Sequence, residues 1–335
     1  MRLAPNTTTL ARRARRQARH SPHERSSSTP PESPGKRLAA DYVPTARELF
    51  FSSEGLDAET RAELEDRFFC SLKLSNGTYK QTCRGRLNDL DEFVERLLPR
   101  ERPLRLMDVA VSSGVTTAEW ARRLERAGVE FQMTAGDSAL KAFHLSISRG
   151  LGVLLDADGH ELQLEVRGRA VRTPLGRRAF LRNPLSITIV RAAARIFFPA
   201  LRDSSRARAR FAVECRPLDL VSRSLAGRAN VRVVEDDVLS GDGFGRSFHV
   251  VRAANILNRT YFDDAKLSAI LSNLRSRLLP GGLLVVCRTD ARRVNRATVF
   301  ALDPRGRLEV VGRLNGGSDV ESLALELPAR VGIDY

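Results

Sequence analysis

The chain of 335 residues has only four cysteines, Cys70, Cys83, Cys215 and Cys287, far apart and with no CxxC pair. Neither a disulfide framework nor a cysteine zinc site can be read from that spacing, and four free thiols in a reducing cytoplasm are expected. Histidine is nearly as scarce. His20 and His23 fall near the N-terminus, and His144, His160 and His249 are not paired at metal-ligand spacing, so no metal site is expected. His249 reads as a packed or edge residue of a strand, and His144 as a surface residue of a helix following Asp137. Long apolar runs are missing: Ile196-Phe197-Phe198 and Leu283-Leu284-Val285-Val286 fall well short of the roughly 20 consecutive apolar residues that span a bilayer, which excludes a transmembrane segment at this level. There is also no GxSxG elbow, no P-loop and no GxGxxG, so hydrolase, kinase and NAD or FAD readings have no footing.

Lysine supplies only five of the 55 basic residues, which stand against 40 acidic ones for a net charge of +15. Such an excess ordinarily points to nucleic acid or an anionic membrane surface, but the arginines are spread along the whole chain, and a nucleic-acid partner is not favoured. Residues 1–40 carry nine basic residues against Glu24 and Glu32, in a stretch of Arg, Ser, Pro and Thr with little to bury. A disordered basic tail is expected there. Its run Arg12-Arg13-Ala14-Arg15-Arg16 lacks interleaved aromatics, and no apolar segment follows to make a secretion signal, so a cytoplasmic location is expected.

What is present is a 42% apolar composition, enough for one large core or two modest ones. Apolar residues recur at helical spacing from Ala58 to Phe69 and from Leu87 to Leu98, the second stopping before Pro99, so residues 41–100 read as a small helical cap. From Leu104 the rhythm becomes strand (Leu104 to Val111), turn (Ser112-Ser113-Gly114), helix (Val115 to Arg126) and strand (Phe131 to Gly136), closed by Asp137. In such a βαβ unit a turn of small residues lets backbone approach a ligand, the helix start offers unpaired N–H groups, and an acid ending the second strand can hold ribose hydroxyls.

Leu106-Met107-Asp108-Val109-Ala110-Val111-Ser112-Ser113-Gly114 resembles the first motif of the class I S-adenosylmethionine-dependent methyltransferases, with Ala110 and Ser112 in place of its first two glycines. Three later segments strengthen the resemblance. Asn230 to Leu239 is similar to the third-strand segment, where the resemblance implies that Asp237, with Asp236 and Val238 beside it, meets the adenine. Phe248 to Leu257 looks like the fourth strand, with Asn255 at its end facing the methyl donor. The helix from Leu267, closed by Leu279-Pro280-Gly281-Gly282 and followed by a strand from Leu283, is similar to the family's penultimate unit. The serine-rich first motif and the segment Asn76-Gly77-Thr78-Tyr79 also resemble the chemotaxis-receptor glutamate methyltransferases, although Thr82 stands where that subfamily has arginine and Arg84 or Arg86 would have to substitute.

The resemblance implies a Rossmann-like α/β sheet, mainly parallel, with an antiparallel C-terminal edge hairpin in a domain spanning 101–335, and S-adenosyl-L-methionine as cofactor. It further implies that Ala110, Val111, Ser112, Ser113 and Gly114 hold the methionine end, that Asp108 braces their turn, and that Asp137 grips the ribose. Asn255, Arg259 and Tyr261 are the candidates facing an unidentified acceptor, a small molecule or a protein side chain. Each has a plainer reading: Asp137 and Asp237 as helix caps, Asn255 as a strand-end bond, Tyr261 as packing. A non-catalytic fold that binds a ligand or partner and a nucleic-acid methyltransferase remain the alternatives.

The chain departs most from this scheme at about 144–212, an insertion before the third strand. Gly152 to Leu155 and Glu161 to Val166 read as a hairpin around Asp156-Ala157-Asp158-Gly159, with Arg169 to Arg172 as an extension. Those aspartates open like a calcium loop, but the twelfth position is Arg167, and turn chemistry is the better account. Pro184 to Leu201 reads as a mostly apolar helix, either a lid packed over the site or a peripheral contact with a membrane surface.

Overall fold

In the computed structural model the described residues are 39, 42–52, 55–74, 80, 84–172, 183–202, 213–241 and 243–329. The expected disordered tail, Asn76 to Tyr79 and Thr82 lie outside them.

The cap opens with a helix that its periodicity does not announce, α1 (Ala46–Phe51), followed by the two it does, α2 (Ala58–Ser71) and α3 (Asn88–Glu95). Thr45 closes a capping box with Glu48 at the start of α1, and the Asp57 side chain accepts from Thr60 N–H at the start of α2. These bonds satisfy amide donors that a helix start otherwise leaves bare.

The main sheet contains β1 (Leu104–Val109), β2 (Phe131–Asp137), β8 (Val231–Glu235), β9 (Phe248–Ala254), β10 (Leu278–Thr289), β11 (Asn295–Leu302) and β12 (Leu308–Leu314), in the spatial order β12-β11-β10-β9-β1-β2-β8. The strands from β10 to β8 run parallel, whereas β11 and β12 turn back as an antiparallel edge. Alternation along the strands supplies two faces. Leu104 and Leu106 pack with Trp120 and Leu124 of α4 (Val115–Arg126) and with Leu90 and Val94 of α3. Met107 and Val109 pack on the other side with Leu267, Ile270 and Leu274 of α7 (Asp264–Ser276). The result is the expected α/β architecture, a mainly parallel sheet with helices on both faces. Its order reverses between β1 and β9, and ligands of open α/β sheets bind at the carboxyl ends of strands at such a point.

The insertion is a second sheet. Asp137 leads within four residues into β3 (Lys141–Ser148), followed by β4 (Leu151–Asp156), β5 (Glu161–Val166), β6 (Arg169–Arg172), α5 (Pro184–Arg202) and β7 (Glu214–Asp219), in the antiparallel order β6-β5-β4-β3-β7. The hairpin and α5 form where expected, and the Asp156 carboxylate accepts the amides of Asp158 and His160 as a turn residue. The helix expected around His144 is instead β3, and His144 is buried rather than exposed. The reason is that this sheet is covered on both sides. Leu145, Val153 and Leu164 pack against Ile187, Val190 and Leu201 of α5. On the opposite face Gln163 Oε1 accepts from the Ala46 amide at 3.0 Å, and Arg47 donates to Glu165 and Ser146. Helix α5 is also long and apolar enough to cross a membrane by length and composition. A search for uninterrupted runs passes over it because Arg191 and Arg195 break the run.

Candidate functional site

The carboxyl end of β1 turns into α4 through Ala110 to Gly114, and the local backbone there is unusual. Ala110, Ser112 and Gly114 have φ of 54°, 58° and 74°. Only glycine enters this left-handed region without strain, and each L-residue there costs about 1 kcal/mol or more. The loop thus has left-handed backbone at three alternating positions, only one of which is glycine. A side chain at Gly114 is doubly strained, because its φ is left-handed and a Cβ there would lie 2.4 Å from Cδ2 of Leu225, in the short helix α6 (Arg223–Ala226), which would have to move.

The loop is held from three directions. Val111 N–H donates to Gly136 O at 3.1 Å and Ser112 N–H to Asp137 Oδ2 at 2.7 Å, joining the turn to the end of β2. The Ser113 carbonyl accepts from Ser222 N–H at 2.8 Å, so α6 packs on the turn. From the cap, Lys80 Nζ donates to Ser112 O at 3.1 Å, Asp137 Oδ1 at 3.4 Å and Leu220 O at 3.5 Å. Lys80 is fully buried, and that burial lowers its pKa despite the Asp137 carboxylate beside it. Asp137 also accepts Ala139 N–H, so three of its roughly four acceptor positions are engaged within the chain.

Asn255 sits on the neighbouring strand end, two residues past the register pair Val109 and Ala253. Its φ is 65°, its N–H donates to Cys287 O, and its Oδ1 accepts Thr289 N–H at 2.7 Å. Its buried Nδ2 has no partner. The side chain is therefore fixed by its oxygen on the β10 backbone and keeps one buried donor unmet. A buried amide nitrogen without a partner is destabilising unless something accepts from it.

The other candidates go elsewhere. Asp108 lies opposite Arg252 in the β1–β9 register and binds it through both oxygens, at 3.0 and 2.6 Å, while Thr117 Oγ1 donates to it at 2.7 Å. Arg252 also reaches Asp91 at 2.5 Å and stacks 4.2 Å over the Trp120 ring. Asp108 is thus an internal brace to α4. Asp236 is likewise taken, by Arg277 at 2.7 and 2.9 Å. Val238 lies in the core beneath α7. Asp237 remains exposed at the end of β8, with Oδ1 accepting Leu239 N–H. Arg259 pairs with Asp264 on the surface, and Tyr261 is 59% exposed, so neither is drawn in toward Asn255. Arg84 pairs with Asp66 in the cap.

Sequence reasoning did not find Lys80, Arg252 or Arg277. Each is a cation whose carboxylate partner is distant in the chain, and no local spacing signals such a pair.

No family model matches the sequence, and no curated protein does. Among solved structures the chain is similar to the CMeT domain of the citrinin polyketide synthase, at 16% identity and TM-score 0.31, over 69% of this chain and 39% of that one. It is similar to the [4+2]-cyclase SpnF at 14% identity and TM-score 0.28, over 60% of this chain and 44% of that one. A third, the N-methyltransferase NodS from Bradyrhizobium japonicum in complex with S-adenosyl-L-homocysteine, has 14% identity and TM-score 0.29, over 62% of this chain and 65% of that one. The chain therefore spans less than half the length of the first two.

Proposed function

We propose that this chain is an S-adenosylmethionine-dependent methyltransferase with an acceptor of unidentified class. The observation that carries the reading is the β1 turn, with left-handed backbone at Ala110, Ser112 and Gly114 and its Ser112 amide fixed on Asp137. Strain at non-glycine positions persists where the surroundings enforce it, and functional loops are where it concentrates. The residues present fit the cofactor in two respects. The start of α4 favours a carboxylate through its amide donors and dipole, and Asn255, two residues past the β9 partner of Val109, keeps a buried Nδ2 without a partner. When bound, the cofactor supplies a sulfonium-activated methyl group, whose transfer depends on alignment and exclusion of water more than on proton transfer. In this reading Asn255 orients a ligand by donating from Nδ2, Asp137 keeps one acceptor position for a hydroxyl, and exposed Asp237 is the remaining acid for the base. The inserted sheet and the cap, joined through Gln163 and Glu165 to α1, form the acceptor side.

Lys80 favours a second reading. Its ammonium already occupies the polar groups that a ribose would seek, which suits a fold that binds a partner without catalysis. Calorimetric titration of S-adenosylhomocysteine into the full chain separates the two. Micromolar binding, weakened about tenfold by Asn255→Asp through loss of one buried donor, supports the enzyme reading. No binding by the folded chain rejects it.

A further inference from the structure

We infer that the outer face of α5 docks the protein on an anionic lipid surface. The inference does not depend on the cofactor reading. Ile187, Val190 and Leu201 of α5 are fully buried against the second sheet. The opposite side presents Leu185, Ile189 and Ile196, which are 72%, 44% and 67% exposed. With exposed Ala192 they fall at i, i+4, i+7 and i+11, a single stripe along the helix. These three side chains account for three of the eight large apolar residues exposed among the described residues. Isolated exposed apolar residues are ordinary, but an aligned stripe on one helix marks an interaction surface.

Charge selects the occupant. Segment 141–219 contains fifteen basic and seven acidic residues, a net +8, and residues 1–40 contribute the other +7. The remaining chain is balanced at 31 basic and 31 acidic residues. Although the arginines are spread along the chain, the uncompensated ones are not. On the helix itself, exposed Arg195 borders the stripe, whereas Arg191 turns toward the second sheet and pairs with Glu161. A nucleic acid would use the cations and leave the apolar stripe in water. An anionic bilayer uses both, taking the stripe into the acyl boundary and the arginines among the headgroups. Spanning the bilayer would strip α5 from the core it forms with the second sheet, so the helix lies in the interface plane.

The test is co-sedimentation of the full chain with vesicles of phosphatidylcholine alone or mixed with phosphatidylglycerol. The bound fraction should rise at least about tenfold with the anionic lipid and fall in high salt. The double variant Ile189→Glu/Ile196→Glu, altered only at exposed positions, should keep its melting temperature and lose that binding. Failure of the wild type to sediment with anionic vesicles overturns the inference. So does equal sedimentation of the double variant, which would assign binding to the basic tail. A wild-type dimer that the double variant dissociates, without vesicle binding, would assign the face to a second copy and equally overturn it. Binding of duplex DNA unchanged by the double variant, with no vesicle binding, would do the same in favour of nucleic acid.

Discussion

The amide of Ser112, held at φ 58°, donates to Asp137 Oδ2 at 2.7 Å. Through this bond the end of β2 fixes the shape of the turn after β1. The acid that would meet a ligand and the backbone that would cradle it are therefore one unit.

The strain in that unit can be measured. Ala110→Gly and Ser112→Gly relieve an unfavourable φ but add chain entropy, so each should change stability by between 0 and about +1 kcal/mol in urea unfolding. Gly114→Ala should cost more than about 2 kcal/mol, since it adds both strain and a Cβ at 2.4 Å from Leu225. Leu225→Ala makes room for that Cβ. The double variant should then be more stable than the sum of the two single effects by about 1 kcal/mol, and strict additivity would show that the contact is not the cause.

The buried group of Asp91, Arg252 and Asp108 sets two acids against one cation. Burial, aided by Asp108 and opposed by Arg252, pushes the Asp91 carboxyl from 3.8 up to about 7. Between those values the folded chain holds a proton that the unfolded chain has released, so this group's contribution is full below about pH 4 and declines as pH rises to about 7. Asp91→Asn keeps an acceptor for Arg252 and removes the titration, which should flatten the urea midpoint across this range. Asp108→Ala, by contrast, should cost about 3–5 kcal/mol by stripping Arg252 of its two-point partner.

Lys80 ties the cap to the same turn. Lys80→Met keeps most of the buried stem and frees the Asp137 and Ser112 oxygens. The prediction is a several-fold tighter Kd for S-adenosylhomocysteine with a folded chain, measured by calorimetry. A weaker Kd would mean that Lys80 contributes to the ligand site instead of competing for it.

Much of the scaffold was legible because local pattern determines it. Short apolar runs between turns marked β1 and β2, the family resemblance marked β9, and helical spacing defined α4 as far as Arg126 and placed α5. The strand β3 was not legible, since His144 sits in the second sheet among Gln163, Glu165 and α1, an environment in which polar residues point inward. Of the candidate site, the placement of its residues at strand ends was legible and their pairing was not. The motif located Ala110 to Gly114, Asp137 and Asn255 at the strand ends, whereas the pairing of Asp108 with Arg252, of Asp236 with Arg277 and of Asp137 with Lys80 arises from residues between 41 and 144 positions apart. Long-range ion pairs leave no periodic trace.

The most direct test of the central claim is hydrogen exchange of the full chain with and without S-adenosylhomocysteine, read by mass spectrometry on peptides covering the three strand ends. Slowed exchange confined to 110–117, 137–139 and 254–257 is the result predicted. Unchanged exchange in those peptides, or protection only elsewhere, would contradict the account.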